Sequence, residues 1–445
     1  MRATPAALAA ALILMPAAAA RASAPGWSTP HTADGVAVGI YGAGPNGQGV
    51  QLFGASGAAQ TRTAQIRAIN SDATQGTAVG VNAAGKPGFD DPAIAVNPGG
   101  ALVAAWTLDT LQPGPIGLAA ALGTRTALPR TATVLPTQGI TAAVATAIAP
   151  NGTATVAWIE AGTPNAVKAA TLRPGQAPQV AVLATTTTAV PANLSLGLDG
   201  AGRPIATWTT TTSAGTAIDI ARGDGTGAFA PAVEQPLTTA PVVSAQTFVL
   251  STGALVAVWS EGVLPDPLTL RTANAPAGGA APFGPPRLLA TAGSAPQPSV
   301  AASATGRIAV FYAVGSGSGV SLRTLLRTTS GTWGTPHAAG PSGARTVSRI
   351  NAGVDAKGRV VILWDDAAAS AHSPTRILAA RAGSSTSPPG TYHQLPQRSG
   401  DGRCDEPTLT LSTSGDGLGS WLCAGTGASA GQSGRPRLAR LTKPS

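Results

Sequence analysis

The sequence predicts an all-β protein, a β-propeller of eight four-stranded blades, or of seven if the first repeat is not a blade. Two observations carry this prediction: an apolar segment ending in an aromatic residue recurs every 50 to 57 residues, and a glycine stands six residues before each aromatic residue. The aromatic residues are Phe53, Trp106, Trp158, Trp208, Trp259, Tyr312, Trp364 and Trp421. The glycines are Gly47, Gly100, Gly152, Gly202, Gly253, Gly306, Gly358 and Gly415. Repeats of this length that read as four short strands are typical of propeller blades.

Each repeat is predicted to hold four strands, as the segment around Trp106 illustrates. Its first strand, 92–96, leads into a turn at Gly100, where a positive φ is expected. The second strand, 101–106, is apolar on both faces, which indicates burial between neighbouring sheets. Third strands carry Arg among apolar residues, as at 270–272, and fourth strands are more polar and irregular. This last pattern is expected of an outer edge.

The ring is predicted to close through the N-terminal segment. After Trp421 only one further strand, 435–441, precedes the end of the sequence, so the last blade lacks its fourth strand. Residues 26–31 share a Trp-x-Thr-Pro-His core with 331–337, which is a fourth strand in mid-chain. We therefore expect the N-terminal strand to complete the last blade, and we expect a disulfide between Cys404 and Cys423 on neighbouring strands of that blade.

Residues 1–24 have the pattern of a secretory signal peptide. Arg2 supplies the positive start, an apolar run follows at about 6–15, and small residues lie at 20–24. The predicted mature protein, 25–445, is a single propeller domain exported to the exterior of a bacterial cell. No later stretch is long and apolar enough for a membrane span. The formal charge is +9, but the positive residues are scattered, so nucleic-acid binding is not expected.

A second, looser motif lies in the outer strands, as in Gly227–Pro231, Phe283–Pro286 and the segment around Trp333. It resembles the Asp-box (BNR) repeats of sialidase-like propellers, and Asp224 to Phe229 keeps their spacing from aspartate to aromatic residue. This resemblance implies glycan-active chemistry with a tyrosine nucleophile. The three tyrosines occupy a core position, an inner strand and an outer strand, so no catalytic residue is predicted.

Acidic residues concentrate on one face of the predicted disc. The loops that enter inner strands and those that leave second strands emerge on the same side, which we call the loop face. These loops carry 11 of the 19 acids: Asp90, Asp91, Asp109, Glu160, Glu261, Asp266, Asp365, Asp366, Asp401, Asp405 and Glu406. All of them except Asp266 and Asp401 form the candidate ligand set. A competing interpretation is that they are only solvated loop ends.

The function predicted from this pattern is non-catalytic binding or scaffolding, in which the acidic loop face recognises a glycan or an extracellular protein. The protein is expected to be a monomer without a cofactor, and calcium binding to the carboxylates is the open alternative. The alternative function is a glycoside hydrolase. Its machinery would be Asp365 or Asp366 facing Glu160 or Glu261 across the central funnel.

Overall fold

The protein is described by a computed structural model. It describes residues 27–28, 30–32, 39–43, 48–56, 62–86, 88–108, 117–264, 266–278, 283–293, 298–315, 320–340, 345–368, 376–382, 387–390, 392–395, 401–412, 415–425 and 435–441. The predicted signal peptide lies outside these residues and stays a prediction. None of the described residues belongs to a helix long and apolar enough to cross a bilayer.

The fold is an eight-bladed β-propeller, as predicted, with eight four-stranded antiparallel sheets arranged in a ring. The first strand, β1 (His31–Thr32), belongs to the last blade. Blade 1 is β2 (Gly39–Ala43), β3 (Gly49–Ser56), β4 (Arg62–Ile69) and β5 (Val79–Gly80); blade 2 is β6 (Asp90–Val96), β7 (Ala101–Leu108), β8 (Gly117–Thr124) and β9 (Thr133–Leu135); blade 3 is β10 (Ile140–Ile148), β11 (Ala154–Ala161), β12 (Asn165–Leu172) and β13 (Gln179–Thr186); blade 4 is β14 (Val190–Leu198), β15 (Pro204–Thr212), β16 (Gly215–Arg222) and β17 (Val233–Thr238).

The second half of the ring repeats this order. Blade 5 is β18 (Val242–Val249), β19 (Leu255–Glu261), β20 (Leu268–Ala275) and β21 (Arg287–Ala292); blade 6 is β22 (Ser299–Ala302), β23 (Ile308–Val314), β24 (Ser321–Arg327) and β25 (His337–Ala338); blade 7 is β26 (Arg345–Val354), β27 (Val360–Ala368), β28 (Arg376–Arg381) and β29 (His393–Gln394); blade 8 is β30 (Asp401–Leu411), β31 (Gly417–Gly425), β32 (Arg435–Leu441) and β1.

The core is the set of apolar layers between successive blades. Second strands are buried on both faces, since each lies between the sheets before and after it. The second strands run at least two residues beyond their tryptophans, and the six tryptophans are no more than 2% exposed. The turn glycines have the expected positive φ at seven of the eight positions, with values between 76° (Gly202) and 89° (Gly306), while Gly47 lies outside the described residues. The aromatic repeat is therefore structural.

Blade 8 contains both the predicted closing strand and the predicted disulfide. Strand β1 pairs with β32 through His31 and Leu438, and Trp27 forms a further bridge to Leu441. Trp27 is only 6% exposed and lies against Gly419, where a Cβ atom would stand 2.7 Å from its ring. Cys404 and Cys423 are cross-strand partners in β30 and β31 and form the predicted disulfide.

Candidate functional site

The structure places the predicted ligand set at the ends of inner and second strands. Asp90 and Asp91 begin β6, while Asp405 and Glu406 lie in the first half of β30. The acids at the ends of second strands are Glu160 in β11, Glu261 in β19, and Asp365 and Asp366 in β27. Asp109 lies outside the described residues. The eight described acids divide into a buried group and a group with access to solvent.

Glu160 is buried in blade 3 and held by a set of donors. Its carboxylate pairs with Lys168 Nζ at 2.8 Å and accepts hydrogen bonds from the backbone N–H of Gly139, at 2.7 Å, and of Gln138. The indole Nε1 of Trp158 lies 3.4 Å away. Burial by itself would raise the pKa of Glu160, but Lys168 and these hydrogen bonds hold the pKa below its ordinary value. Glu160 is therefore an ionised, structurally committed carboxylate.

Glu261 repeats this arrangement in blade 5. It follows Trp259 by two residues, as Glu160 follows Trp158, and accepts a 2.9 Å hydrogen bond from the indole Nε1. Arg271 supplies the ion pair from the neighbouring strand β20. Burial would raise the pKa of Glu261, but the indole, guanidinium and Thr238 hydrogen bonds hold it below its ordinary value.

The acids of blade 7 are also buried and paired. Asp366 forms a two-pronged ion pair with Arg376, whose Nε and Nη2 each lie 3.1 Å from one carboxylate oxygen. Asp365 accepts a 2.7 Å hydrogen bond from the backbone N–H of Arg349. Asp401, outside the candidate ligand set, is held in the same two-pronged way by Arg437 in blade 8.

Blade 4 has a related polar pair, in which the acid lies on the third strand instead of the second. This pair was not predicted from the sequence. Thr210 stands where blades 3, 5 and 7 have their acid, two residues after Trp208, and the acid is Asp219 on the neighbouring strand. The Thr210 hydroxyl donates a hydrogen bond to Asp219. Burial, reinforced by Glu234, raises the pKa of Asp219. A polar pair next to the closing aromatic residue is thus a recurrent device between second and third strands.

We expect Glu261 to make the stability of the fold depend on pH. A carboxyl whose pKa is lower in the folded state contributes stability fully above its unfolded-state pKa, about 4.3, and loses that contribution as the pH falls through the folded-state pKa. The free energy of unfolding of Glu261→Gln should therefore lie below that of the parent protein at pH 7, and the gap should narrow in acid. Urea titrations from pH 7 to pH 3 test this, with exposed Asp266→Asn as the control. A gap that is constant with pH would contradict it.

The second group comprises two pairs of acids at equivalent repeat positions. Asp90 and Asp91 precede Trp106 by 16 and 15 residues, and Asp405 and Glu406 precede Trp421 by the same intervals. Each pair is followed by proline. The pairs belong to blades 2 and 8, and their inner strands β6 and β30 both contact β2 of blade 1. The two acid pairs therefore flank blade 1 on the loop face.

The backbone is unusual at both pairs. Asp91 and Glu406 have positive φ values of 43° and 55°, and each lies in an interruption of the ladder between the inner and second strands. Asn193, at the equivalent position of blade 4, has a φ of 50° and donates a hydrogen bond from Nδ2 to Thr209 Oγ1 at 2.9 Å. Bulges of this kind redirect side chains and are frequent beside functional sites.

Arginines partly balance the two pairs. Arg62 of blade 1 lies 3.4 Å from Asp90, and Arg349 of blade 7 lies 3.1 Å from Glu406. Asp405 is 3.1 Å from Arg403.

One carboxyl of each pair has a raised pKa. Burial, together with the charge of Asp90, raises the pKa of Asp91. Burial also raises the pKa of Asp405, with Glu406 adding to the effect and Arg403 opposing it. All four carboxyl-bearing residues of the two pairs keep access to solvent, unlike the buried group.

The opposite face of the disc holds a cavity of about 610 Å³ between blades 2 and 3. It lies at the ends of third strands and is lined by Leu102, Leu122, Leu172, Arg173 and Gln176, among others. It contains none of the candidate acids. This cavity is therefore separate from the two acid pairs.

No protein-family model and no curated protein matches this sequence. Solved structures do match. They include the polysaccharide lyase Uly1, at 9% identity and a TM-score of 0.49 over 81% of this chain and 92% of that chain. An α-L-arabinanase of Penicillium chrysogenum complexed with arabinobiose matches at 12% identity and a TM-score of 0.41, over 65% and 92% of the two chains. The Hadza microbial sialidase Hz136 matches at 11% and 0.37, over 74% of each chain. Similarities this low transfer no activity and no residue role to the present protein.

Proposed function

We propose that the protein is an exported, non-catalytic binding module that recognises a glycan through Asp90, Asp91, Asp405 and Glu406. The observation that carries this proposal is that the two acid pairs lie at equivalent positions on both sides of blade 1 and keep access to solvent. Carboxylates accept hydrogen bonds from sugar hydroxyls through two oxygens each. Two such pairs provide an extended row of acceptors.

The buried group supports a binding function rather than hydrolysis. A glycoside hydrolase of the predicted type would need a protonated carboxyl facing a carboxylate across the funnel. Glu160 and Glu261 have lowered pKa values and are committed to Lys168 and Arg271, so they are poor proton donors. Asp366 is equally committed to Arg376. The pairing of Asp365 or Asp366 with Glu160 or Glu261 is therefore not part of the proposed site.

One observation favours a second candidate, a glycan-active enzyme. Asp91 and Asp405 have raised pKa values, and each adjoins a second acid in sequence. Glycoside hydrolysis uses two carboxyl groups, one of which acts as the acid and has a raised pKa. In this second candidate the acid would be Asp91 or Asp405, in place of the second-strand acids predicted from the sequence.

Retention of the purified protein on an array of glycans and cell-wall polysaccharides, with and without calcium, tests the proposal. We expect Asp90→Asn/Asp91→Asn and Asp405→Asn/Glu406→Gln each to weaken binding at least tenfold, since a hydrogen bond to a charged group contributes about 1.5–3 kcal/mol. Asp266→Asn, an exposed acid in a loop of blade 5, is the matched control and should bind like the parent.

The outcomes separate the candidates. Release of reducing sugar from a retained glycan, abolished by Asp91→Asn or Asp405→Asn, would replace the binding module with the enzyme. Binding only with calcium would make the carboxylates metal ligands. The absence of retention on every glycan would contradict both candidates and indicate a protein ligand.

A further inference from the structure

The turn between the first and second strands carries a repeated Asp–Arg pair in blades 4 and 7. Arg203 and Arg359 each stand five residues before the closing aromatic residue, and Asp199 and Asp355 stand four residues earlier. One oxygen of each aspartate accepts the arginine backbone N–H, at 2.9 Å and 2.8 Å. The other oxygen faces the arginine Nε, at 2.8 Å and 2.6 Å. The turn thus supplies its own counter-charge.

Blade 6 keeps the arginine, Arg307, but has Ser303 in place of the aspartate. The Ser303 hydroxyl reproduces half of the arrangement, because it accepts the backbone N–H of Arg307 at 3.2 Å. It has no second oxygen to face the guanidinium. Within the part of the chain that the structure describes, the Arg307 side chain makes no hydrogen bond and no ion pair, and its Nε is enclosed without a partner.

Arg307 is nevertheless buried, with 5% of its surface exposed. Its stem packs on the turn of blade 7, where a Cβ atom on Gly358 would lie 3.0 Å from Arg307 Cδ. The stem is therefore held against the turn of blade 7. Burial lowers the pKa of Arg307, and no carboxylate acts against that effect.

Arg327, in the same blade, is also buried but has hydrogen-bond acceptors, so burial alone does not explain why Arg307 has none. It is 7% exposed, but Nη1 donates to the Gly306 carbonyl at 2.7 Å and Nη2 to Asn274 Oδ1 at 3.4 Å. Its two terminal nitrogens thus have polar acceptors, although its Nε, like that of Arg307, is enclosed without a partner. Arg307 is distinguished by having neither an acid nor an amide acceptor.

A guanidinium cannot relieve burial by losing its proton, since arginine stays charged in proteins. Only the Nε of Arg307 is fully enclosed, so the terminal nitrogens reach solvent, but a largely buried charge without a counter-charge is unfavourable. We propose that Arg307 binds a small monovalent anion, of the size of a halide or formate, between blades 6 and 7. The anion faces the guanidinium as the carboxylates of Asp199 and Asp355 do in their blades. Its size is limited because the corresponding space in those blades holds a single carboxylate of the turn.

The experiment is thermal unfolding of the full protein at constant ionic strength, in gluconate and with chloride, formate or sulfate replacing it. We expect chloride or formate to raise the unfolding temperature of the parent protein by a few degrees in a saturable manner. Sulfate should give only the non-saturable rise that results from its general exclusion from protein surfaces. Ser303→Asp should be more stable in gluconate and should lose the response. The matched variant Asp355→Ser recreates the blade 6 turn in blade 7 and should gain a second response.

An identical anion response in the parent and in Ser303→Asp would overturn the proposal. A second measurement is independent of how well Ser303→Asp folds. Crystals grown in bromide should give an anomalous peak within hydrogen-bond distance of the Arg307 guanidinium. The absence of that peak, at a bromide concentration that saturates the thermal effect, would equally overturn it.

Discussion

Replacing Glu160 by glutamine is expected to lower the free energy of unfolding by about 3–5 kcal/mol, since removal of one member of a buried ion pair leaves the other uncompensated. Lys168 is that other member, 2.8 Å from Glu160 and only 8% exposed. The hydrogen bonds from Gln138 and Gly139 would also weaken when the acceptor becomes neutral. Urea unfolding at pH 7 measures the loss.

The double variant Glu160→Gln/Lys168→Met provides the control. It removes the stranded charge along with the pair, and replacement of a whole buried pair by apolar groups is often close to neutral. We expect it to recover a large part of the stability lost in Glu160→Gln. A double variant that is less stable than Glu160→Gln would show that the pair itself, rather than the isolated charge, governs the effect.

Replacing Trp27 by alanine is expected to lower the free energy of unfolding by about 3–5 kcal/mol, the usual loss when a buried tryptophan is truncated. Trp27 fills space beside Gly419 and bridges to Leu441. It also anchors β1, a strand of two residues in the structure, whose pairing with β32 closes the ring. The truncation therefore weakens the closure as well as the core.

Trp333 provides a matched control for Trp27. Both side chains are 6% exposed and occupy the same repeat position, but Trp333 belongs to a blade built from one continuous segment. Trp333→Ala should cost a similar free energy and leave the N-terminal segment protected. Limited proteolysis under native conditions should cut near residue 30 only in Trp27→Ala. Equal protection of that segment in both variants would contradict the role of Trp27 in closure.

Much of this fold could be predicted because one period governs it. The interval from glycine to aromatic residue locates a turn and a buried second strand in every repeat, and the similarity of the segments around Trp27 and Trp333 predicted the closing strand. Cys404 and Cys423 flanked the same hairpin, so their pairing followed from the strands.

The state of the loop-face acids could not be predicted in the same way. Glu160 and Glu261 lie at or near the ends of their strands, where acidic residues are usually exposed to solvent. Their burial depends on which residues lie opposite them on the neighbouring strand. The cross-strand register sets Lys168 opposite Trp158 and Arg271 opposite Trp259. A signal was present, because a basic residue follows Glu160 by eight positions, Glu261 by ten and Asp366 by ten. An acid and a base at this interval across a hairpin indicate a structural pair.

The pairing of β1 with β32 also affects the order in which the protein can fold during its synthesis. His31 and Leu438 lie at opposite ends of the sequence, so at about 5–20 residues per second roughly 20–80 s separate their synthesis. During that interval seven blades can stack while β1 has no partner, because β32 has not yet been synthesised. When many such chains lie close together, they can form a strand-exchanged dimer, in which β1 of one copy completes blade 8 of another. Dilution and slow expression should therefore favour the closed monomer over strand-exchanged dimers.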